Sequence, residues 1–421
     1  MFTGNAPRPL EGIKVVEMAT FIAVPAAAKF LADMGADVIK VEAPAGDFVR
    51  WSGANEGRPE DPLENTTFDL ENGNKRSIAI NVKDPEGRKI LDKLIDQCDI
   101  FLTNWRPAAL ERQGLDYESL KAKYPALVYG SLTGYGDEGP DKDLPGYDTT
   151  AFFTRGGILG SLYDADESPM MLINGLGDHQ AAYMLAAGIM AALFRAKQTG
   201  QGEHVSVNLL HASIFTQGIM VLAAQYPDVG HKYPTRRVDV DNPLTGAYKT
   251  SDGRWLWITM PQHDRFYPKF MTVIGREDLA DHPVYGHLIK MISEGKSREL
   301  YDIIVEAFAK KTLKEWIDAL TEADIPNAPA QVWEEVLEDK QAWANKVFFK
   351  SMHENGREAI EIRTPVNFEE TPAPGETPSP TLGKQSVEVV KELGYSDEEA
   401  KQLLDNKVIR EWHVGENPFK F

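Results

Sequence analysis

The residue types best suited to covalent chemistry in this chain lie in Asn174-Gly175-Leu176-Gly177-Asp178-His179-Gln180. Two glycines permit a tight turn and close backbone approach. Asp178 then falls at or next to the start of a long Ala- and Met-rich helix, expected over residues 178–197. A carboxylate exposed on such a turn, beside free backbone N–H groups, can attack a carbonyl while neighbouring donors hold the oxyanion. The same pattern also describes an ordinary N-cap, because Asp satisfies a free N–H at a helix start. Local pattern alone leaves both readings open. His179 is adjacent in sequence, but successive helical residues do not face each other. Gly175-x-Gly177 also begins like a dinucleotide fingerprint, yet Gln180 stands where the third glycine belongs.

Two further constellations could hold an anion. Asn72-Gly73-Asn74-Lys75-Arg76 precedes a strand and joins two adjacent cations to a flexible glycine. Asn104-Trp105-Arg106-Pro107 follows a strand, with Arg112 six residues beyond Arg106. Either set could equally be a solvated loop. Other chemistries find little footing. The sequence has no His-Glu-x-x-His, no Gly-x-Ser-x-Gly and no P-loop, and its single cysteine, Cys98, rules out paired-cysteine metal sites and internal disulfides. No metal is expected. A net charge of −19 disfavours nucleic acid and anionic membrane as partners. A phosphorylated ligand would need basic groups gathered locally against that field.

The elements that must position these residues read as α/β. Apolar runs at 13–18, 37–42, 77–81, 99–104, 127–131 and 205–209 alternate with helical spacing at 26–34, 84–97, 120–124 and 178–197. Such alternation implies parallel βαβ units, whose ligands bind at the carboxyl ends of the strands. Residues 170–173 read as a further strand-like stretch, and 211–225 as a second apolar helix. A hairpin is expected over 245–260, turned at Asp252-Gly253, followed by helices near 264–274, 297–310 and 312–322. A second hairpin over 348–362, a Pro-rich loop at 370–380 and an amphipathic last helix complete the chain. The expected division is a large Rossmann-like domain from 1–200, a linker and helix at 201–225, a small domain at 226–328, and a return to the large domain over 329–421. No apolar run approaches the roughly 20 residues of a membrane helix. The start lacks signal-peptide character, and with no disulfides the expectation is a reducing cytoplasm.

Taken in order, these pieces resemble the class III CoA-transferases, also called the formyl-CoA transferase or carnitine CoA-transferase family. The likeness runs from Leu10-Glu11-Gly12-Ile13-Lys14-Val15-Val16-Glu17 through Gly35-Ala36-Asp37-Val38-Ile39-Lys40-Val41-Glu42, Asn74-Lys75-Arg76-Ser77-Ile78, Gly134-Tyr135-Gly136 and Gly177-Asp178 to Leu393-Gly394-Tyr395-Ser396. It implies an α/β fold with a Rossmann-like large domain formed by both chain ends, a smaller α+β domain and an interlocked homodimer. It implies Asp178 as the catalytic nucleophile. It places the CoA-binding positions at Ile22, Ala23, Asn72, Gly73, Asn74, Lys75, Asn104, Trp105, Arg106, Arg112 and Tyr147. It also implies a coenzyme A thioester as substrate and no tightly bound cofactor.

The resemblance has discriminating details. Racemases of 2-methylacyl-CoA in the same superfamily carry Gly-His-Asp where this chain has Gly146-Tyr147-Asp148. Tyrosine is a poor base for an α-proton near neutral pH. Met260-Pro261-Gln262-His263-Asp264 has no glycine, unlike the closing loop of the formyl-CoA enzyme, and Ile22 stands where that enzyme has Gln. A larger, more apolar acid is expected than formate or oxalate. Glu64-Asn65-Thr66-Thr67-Phe68-Asp69-Leu70-Glu71-Asn72, residues 139–146 and residues 338–345 resemble the branch acting on phenyllactate and 2-hydroxyisocaproate. That branch uses CoA from an enoyl-CoA such as cinnamoyl-CoA. The alternatives are a racemase and a non-catalytic acyl-CoA-binding protein.

Overall fold

The computed structural model describes residues 6–52, 57, 63, 65–226, 233–372 and 374–416. Glu64, and the parts of the expected domains at 1–5, 227–232 and 417–421, lie outside them. By contacts the chain forms two compact units. The first comprises Met1–Ile158, Met171–Leu222 and Ala342–Phe421; the second comprises Leu159–Met170 and Ala223–Gln341.

The first unit opens with β1 (Lys14–Met18), α1 (Ala23–Asp33) and β2 (Asp37–Glu42), then α2 (Thr66–Asn72), β3 (Arg76–Ile80) and α3 (Pro85–Asp96). There follow β4 (Ile100–Thr103), α4 (Pro107–Gln113), α5 (Tyr117–Lys123) and β5 (Val128–Thr133). After a wide π-type turn over Asp148–Arg155 comes α6 (Ile158–Ser161), where the chain passes into the second unit, and then, back in the first, α7 (Leu176–Thr199) and β6 (His204–Asn208). Local signals explain the boundaries. Asp84 caps α3 through the Glu86 N–H, with Pro85 at the first helical position. In the strands, successive side chains take opposite faces. Val15, Val38 and Ile100 pack with α1 and α7, while Val16, Ile39 and Phe101 pack with α3. The result is a sheet between two apolar layers.

The second unit contains an antiparallel sheet of β7 (Thr245–Lys249), β8 (Trp255–Thr259) and β9 (Asn327–Pro329). Helices His263–Val273, Leu288–Ser293, Ser297–Phe308 and Leu313–Glu322 cover its core, which includes Tyr248, Phe270, Phe308 and Trp316. Back in the first unit, β10 (Phe348–Met352) and β11 (Glu358–Ile362) form a hairpin. The chain then adds a last strand, β12 (Ile409–Arg410), antiparallel to β3. The large sheet runs β12-β3-β2-β1-β4-β5-β6, and β1 to β6 are parallel. The order 3-2-1-4-5-6 is that of a doubly wound Rossmann sheet, whose direction of winding reverses between β1 and β4.

Three expectations are corrected. Residues 170–173 form no strand: they have no ladder partner, and Met171 is 92% exposed. The apolar stretch 211–225 is two helices, Leu209–Thr216 and Gly218–Ala223, interrupted at Gln217, whose amide donates to the Gly156 carbonyl and the Ser213 hydroxyl. The last helix is also two, Ser386–Glu392 and Asp397–Asp405, parted where Gly394 takes φ +91°. Among the described residues no helix is long and apolar enough to cross a membrane.

Candidate active site

A crevice of about 460 Å³ opens at the carboxyl ends of β1, β4 and β5. It therefore sits at the reversal of strand order, where doubly wound sheets bind ligands. Its walls are residues 20–23 after β1, 104–107 after β4, 132–134 at the end of β5, and the 142–149 stretch. Half-buried Asn104 and buried Asp47 hold these loops. Asn104 accepts from the Thr20 N–H at 3.1 Å and donates to the Thr20 carbonyl at 2.6 Å. Asp47 accepts from the Phe21 N–H at 3.3 Å, and Phe21 takes φ +63°. The Phe21 ring lies 5.9 Å from Phe48 and 5.7 Å from Tyr147, giving the crevice an aromatic wall.

Asp178 also lines this crevice. It is not the helix cap. The cap position of α7 is Gly175, at φ +92°, so Leu176 and Gly177 are already helical and Asp178 falls in the first turn. The capping work is done from another loop. Asp148, buried, accepts from the Gly175 N–H at 2.7 Å and also from the Gly177 and Thr149 N–H groups. Gly177 is needed for packing, because a Cβ there would stand 2.5 Å from Phe152 Cγ. Asp178 is thus left without a hydrogen-bond partner among the described residues. Burial, then the Asp148 and Glu71 charges, push its carboxyl up to about 7, while His179 acts in the opposite direction.

Of the other expected site residues, Ile22, Ala23, Asn104, Trp105, Arg106 and Tyr147 line the same crevice. Arg112 is exposed on α4 and does not. The cluster at 72–75 does not line it either, and its side chains turn inward. Lys75 is buried, with Nζ 2.6 Å from Glu17 Oε2, 2.8 Å from the Pro25 carbonyl and 3.0 Å from Asn72 Oδ1. Asn72 is buried and donates to the Phe68 carbonyl. Gly73 packs against the Thr377 carbonyl, and Asn74 bonds Asp33 and Thr377. The Lys75 ammonium therefore makes structural contacts here, and the expected CoA-binding role of residues 72–75 stands as a proposal. Strand alternation puts Glu17 and Lys40 side by side in register, and the second oxygen of Glu17 takes Lys75.

Sequence reading missed Asp148 as a holder of the turn before Asp178 and Glu71 as the partner of His179, at 2.7 Å. Those contacts span 27 and 108 residues, and no local pattern marks them. The glycine-free segment 260–264 lies in the second unit, where His263 is buried and donates from Nε2 to the Tyr285 carbonyl at 2.6 Å.

The chain is 48% identical over 405 residues to the cinnamoyl-CoA:phenyllactate CoA-transferase of Clostridium sporogenes, covering 96% of this chain and 98% of that one. It is 43% identical over 401 residues to the (R)-2-hydroxy-4-methylpentanoate CoA-transferase of Clostridioides difficile, covering 95% and 99%. A solved CAIB/BAIF family protein from Brucella suis superposes with a TM-score of 0.79 at 28% identity, over 92% of this chain and all of that one. Residues 10–386 match the family described as CoA-transferase family III, and with the crevice and its carboxylate these likenesses make this chain a CoA-transferase that belongs to that family.

Proposed function

We propose that this enzyme moves CoA from an acyl-CoA, such as an enoyl-CoA of the cinnamoyl type, to a 2-hydroxy acid resembling phenyllactate or 2-hydroxyisocaproate. The observation that carries the reading is Asp178: a carboxylate with no hydrogen-bond partner among the described residues, on the wall of the switch-point crevice. An Asp178 oxygen attacks the thioester carbonyl, the C–S bond breaks, and CoA leaves as thiolate, giving a mixed anhydride. The acceptor carboxylate attacks the aspartyl carbonyl of that anhydride and expels the donor acid. The thiolate then attacks the acceptor carbonyl, forming the new thioester and freeing Asp178. No redox partner or ATP enters this balance. The start of α1, which has no side-chain cap, and Arg106 supply donors toward the CoA phosphates. The aromatic wall of Phe21, Phe48 and Tyr147 suits an apolar acyl group.

The same reading takes the active form to be a homodimer in the cytoplasm. In its support, Phe215, Ile219 and Leu222 are 74%, 85% and 65% exposed on one apolar stretch, more than an isolated chain tolerates well. Trapping tests the chemistry. Incubation with cinnamoyl-CoA and hydroxylamine is expected to yield a hydroxamate on the Asp178 peptide by mass spectrometry. Absence of that adduct, together with an Asp178→Ala variant that still transfers CoA, sinks the mechanism. A panel of 2-hydroxy acids, assayed with cinnamoyl-CoA as donor, tests the acceptor class.

A further inference from the structure

The head of α7 gathers three carboxyl groups and one imidazole. Glu71, in the last turn of α2, has a side chain only 3% exposed, and its Oε1 lies 2.7 Å from His179 Nε2. Asp148 approaches from the 147–155 turn and binds the Gly175 N–H. The charged groups whose fields reach Asp178 are Asp148, Glu71 and His179. Those that face His179 are Glu71, Asp178 and Asp148. Glu71 also feels Lys75 and Tyr183. Like charges in a buried site oppose one another's ionisation, so three acids here need a compensating cation. His179, when protonated, is the cationic group among the described residues whose field reaches Asp178. A buried carboxylate at 2.7 Å favours the imidazolium and holds its ring.

We propose that His179, fixed by its bond to Glu71, is the positioning cation of Asp178, keeping that carboxylate ionised for attack near neutral pH. The pair acts through space, because adjacent helical side chains point apart. The catalytic consequence rests on the proposed role of Asp178. The effect on ionisation does not.

The test therefore reads ionisation with and without turnover. In the first arm, the stability difference between the wild-type chain and Asp178→Asn is followed by thermal denaturation from pH 5 to 9. A carboxyl whose folded value is raised costs stability as pH climbs from the ordinary carboxylate range to that folded value, and the loss then levels off. In a His179→Asn background the levelling is expected about one pH unit higher. His179→Gln serves as a second variant should the first not fold. In the second arm, CoA transfer by His179→Asn is expected to fall about tenfold at pH 6.5 and to recover toward wild type at pH 9. In Glu71→Gln, the His179 ring protons followed by NMR are expected to titrate at lower pH. An unmoved levelling point, or a rate loss equal at every pH, overturns the proposal and leaves the pair a packing contact. A protein with the predicted stability shift but no CoA transfer would support the pair and sink the functional reading.

Discussion

At Asp178 the partial burial that would shield the proposed anhydride from water also opposes ionisation of the carboxyl. Water would hydrolyse an acyl anhydride, so the exclusion is useful, but it pushes the carboxyl up to about 7. In the proposed mechanism only the carboxylate attacks, so kcat/KM is expected to be low in acid and to rise as pH passes through about 7, measured as a pH–rate profile. Asp148→Asn keeps an oxygen for the Gly175 N–H while removing a like charge beside Asp178. It is expected to move that acid limb about one unit downward. An unmoved limb would mean that burial alone sets the shift. Asp178→Ala is expected to cut transfer by roughly a thousandfold or more with the fold intact by circular dichroism.

At the scale of elements, the start of α7 is placed by a glycine that packs and a carboxylate that caps from elsewhere. Gly177→Ala would drive a Cβ against the buried Phe152 ring. The expected cost is about 1–3 kcal/mol of stability from overpacking, read by denaturant unfolding. Because the helix start must shift, kcat is also expected to fall by roughly a hundredfold. The β1–β2 ladder makes a different demand. Lys40 and Lys75 share the two oxygens of Glu17, out of water. Lys75→Ala leaves half of that buried carboxylate unpaired and is expected to cost about 3–5 kcal/mol. A phosphate-binding lysine would instead raise KM for the CoA donor at unchanged stability, so the two measurements separate the roles.

Over the whole molecule, the large sheet is completed by the far end of the chain. β12 covers the edge of β3, pairing Ile409 with Ile80 and Arg410 with Ala79. Trp412 is buried with Leu63, Ala79 and Leu382. Truncation after Asp405 would bare that edge and remove these side chains. The expected outcome is a fall in Tm of about 5 °C or more, with aggregation by light scattering, since an open strand edge recruits other strands. A truncated chain that keeps its Tm and stays dispersed would show that β12 adds nothing to the sheet.

The features legible in the sequence were those with a local signature. Alternating apolar runs and helical spacing marked the βαβ units, and glycines marked the turn before Asp178. Of the crevice residues, Asn104, Trp105 and Arg106 stood in a motif at a strand end, while Ile22, Ala23 and Tyr147 came from the family resemblance. The tertiary structure alone decided the rest. It placed the α7 cap on Asp148, paired Glu71 with His179, and turned Lys75 away from the crevice onto Glu17. These contacts join residues 27, 108 and 58 positions apart. Periodicity reports which face of an element is apolar. It carries no record of which distant side chain a parallel register and a long crossover will bring beside a charged group, and that neighbour decides whether a cation binds a ligand or a buried acid.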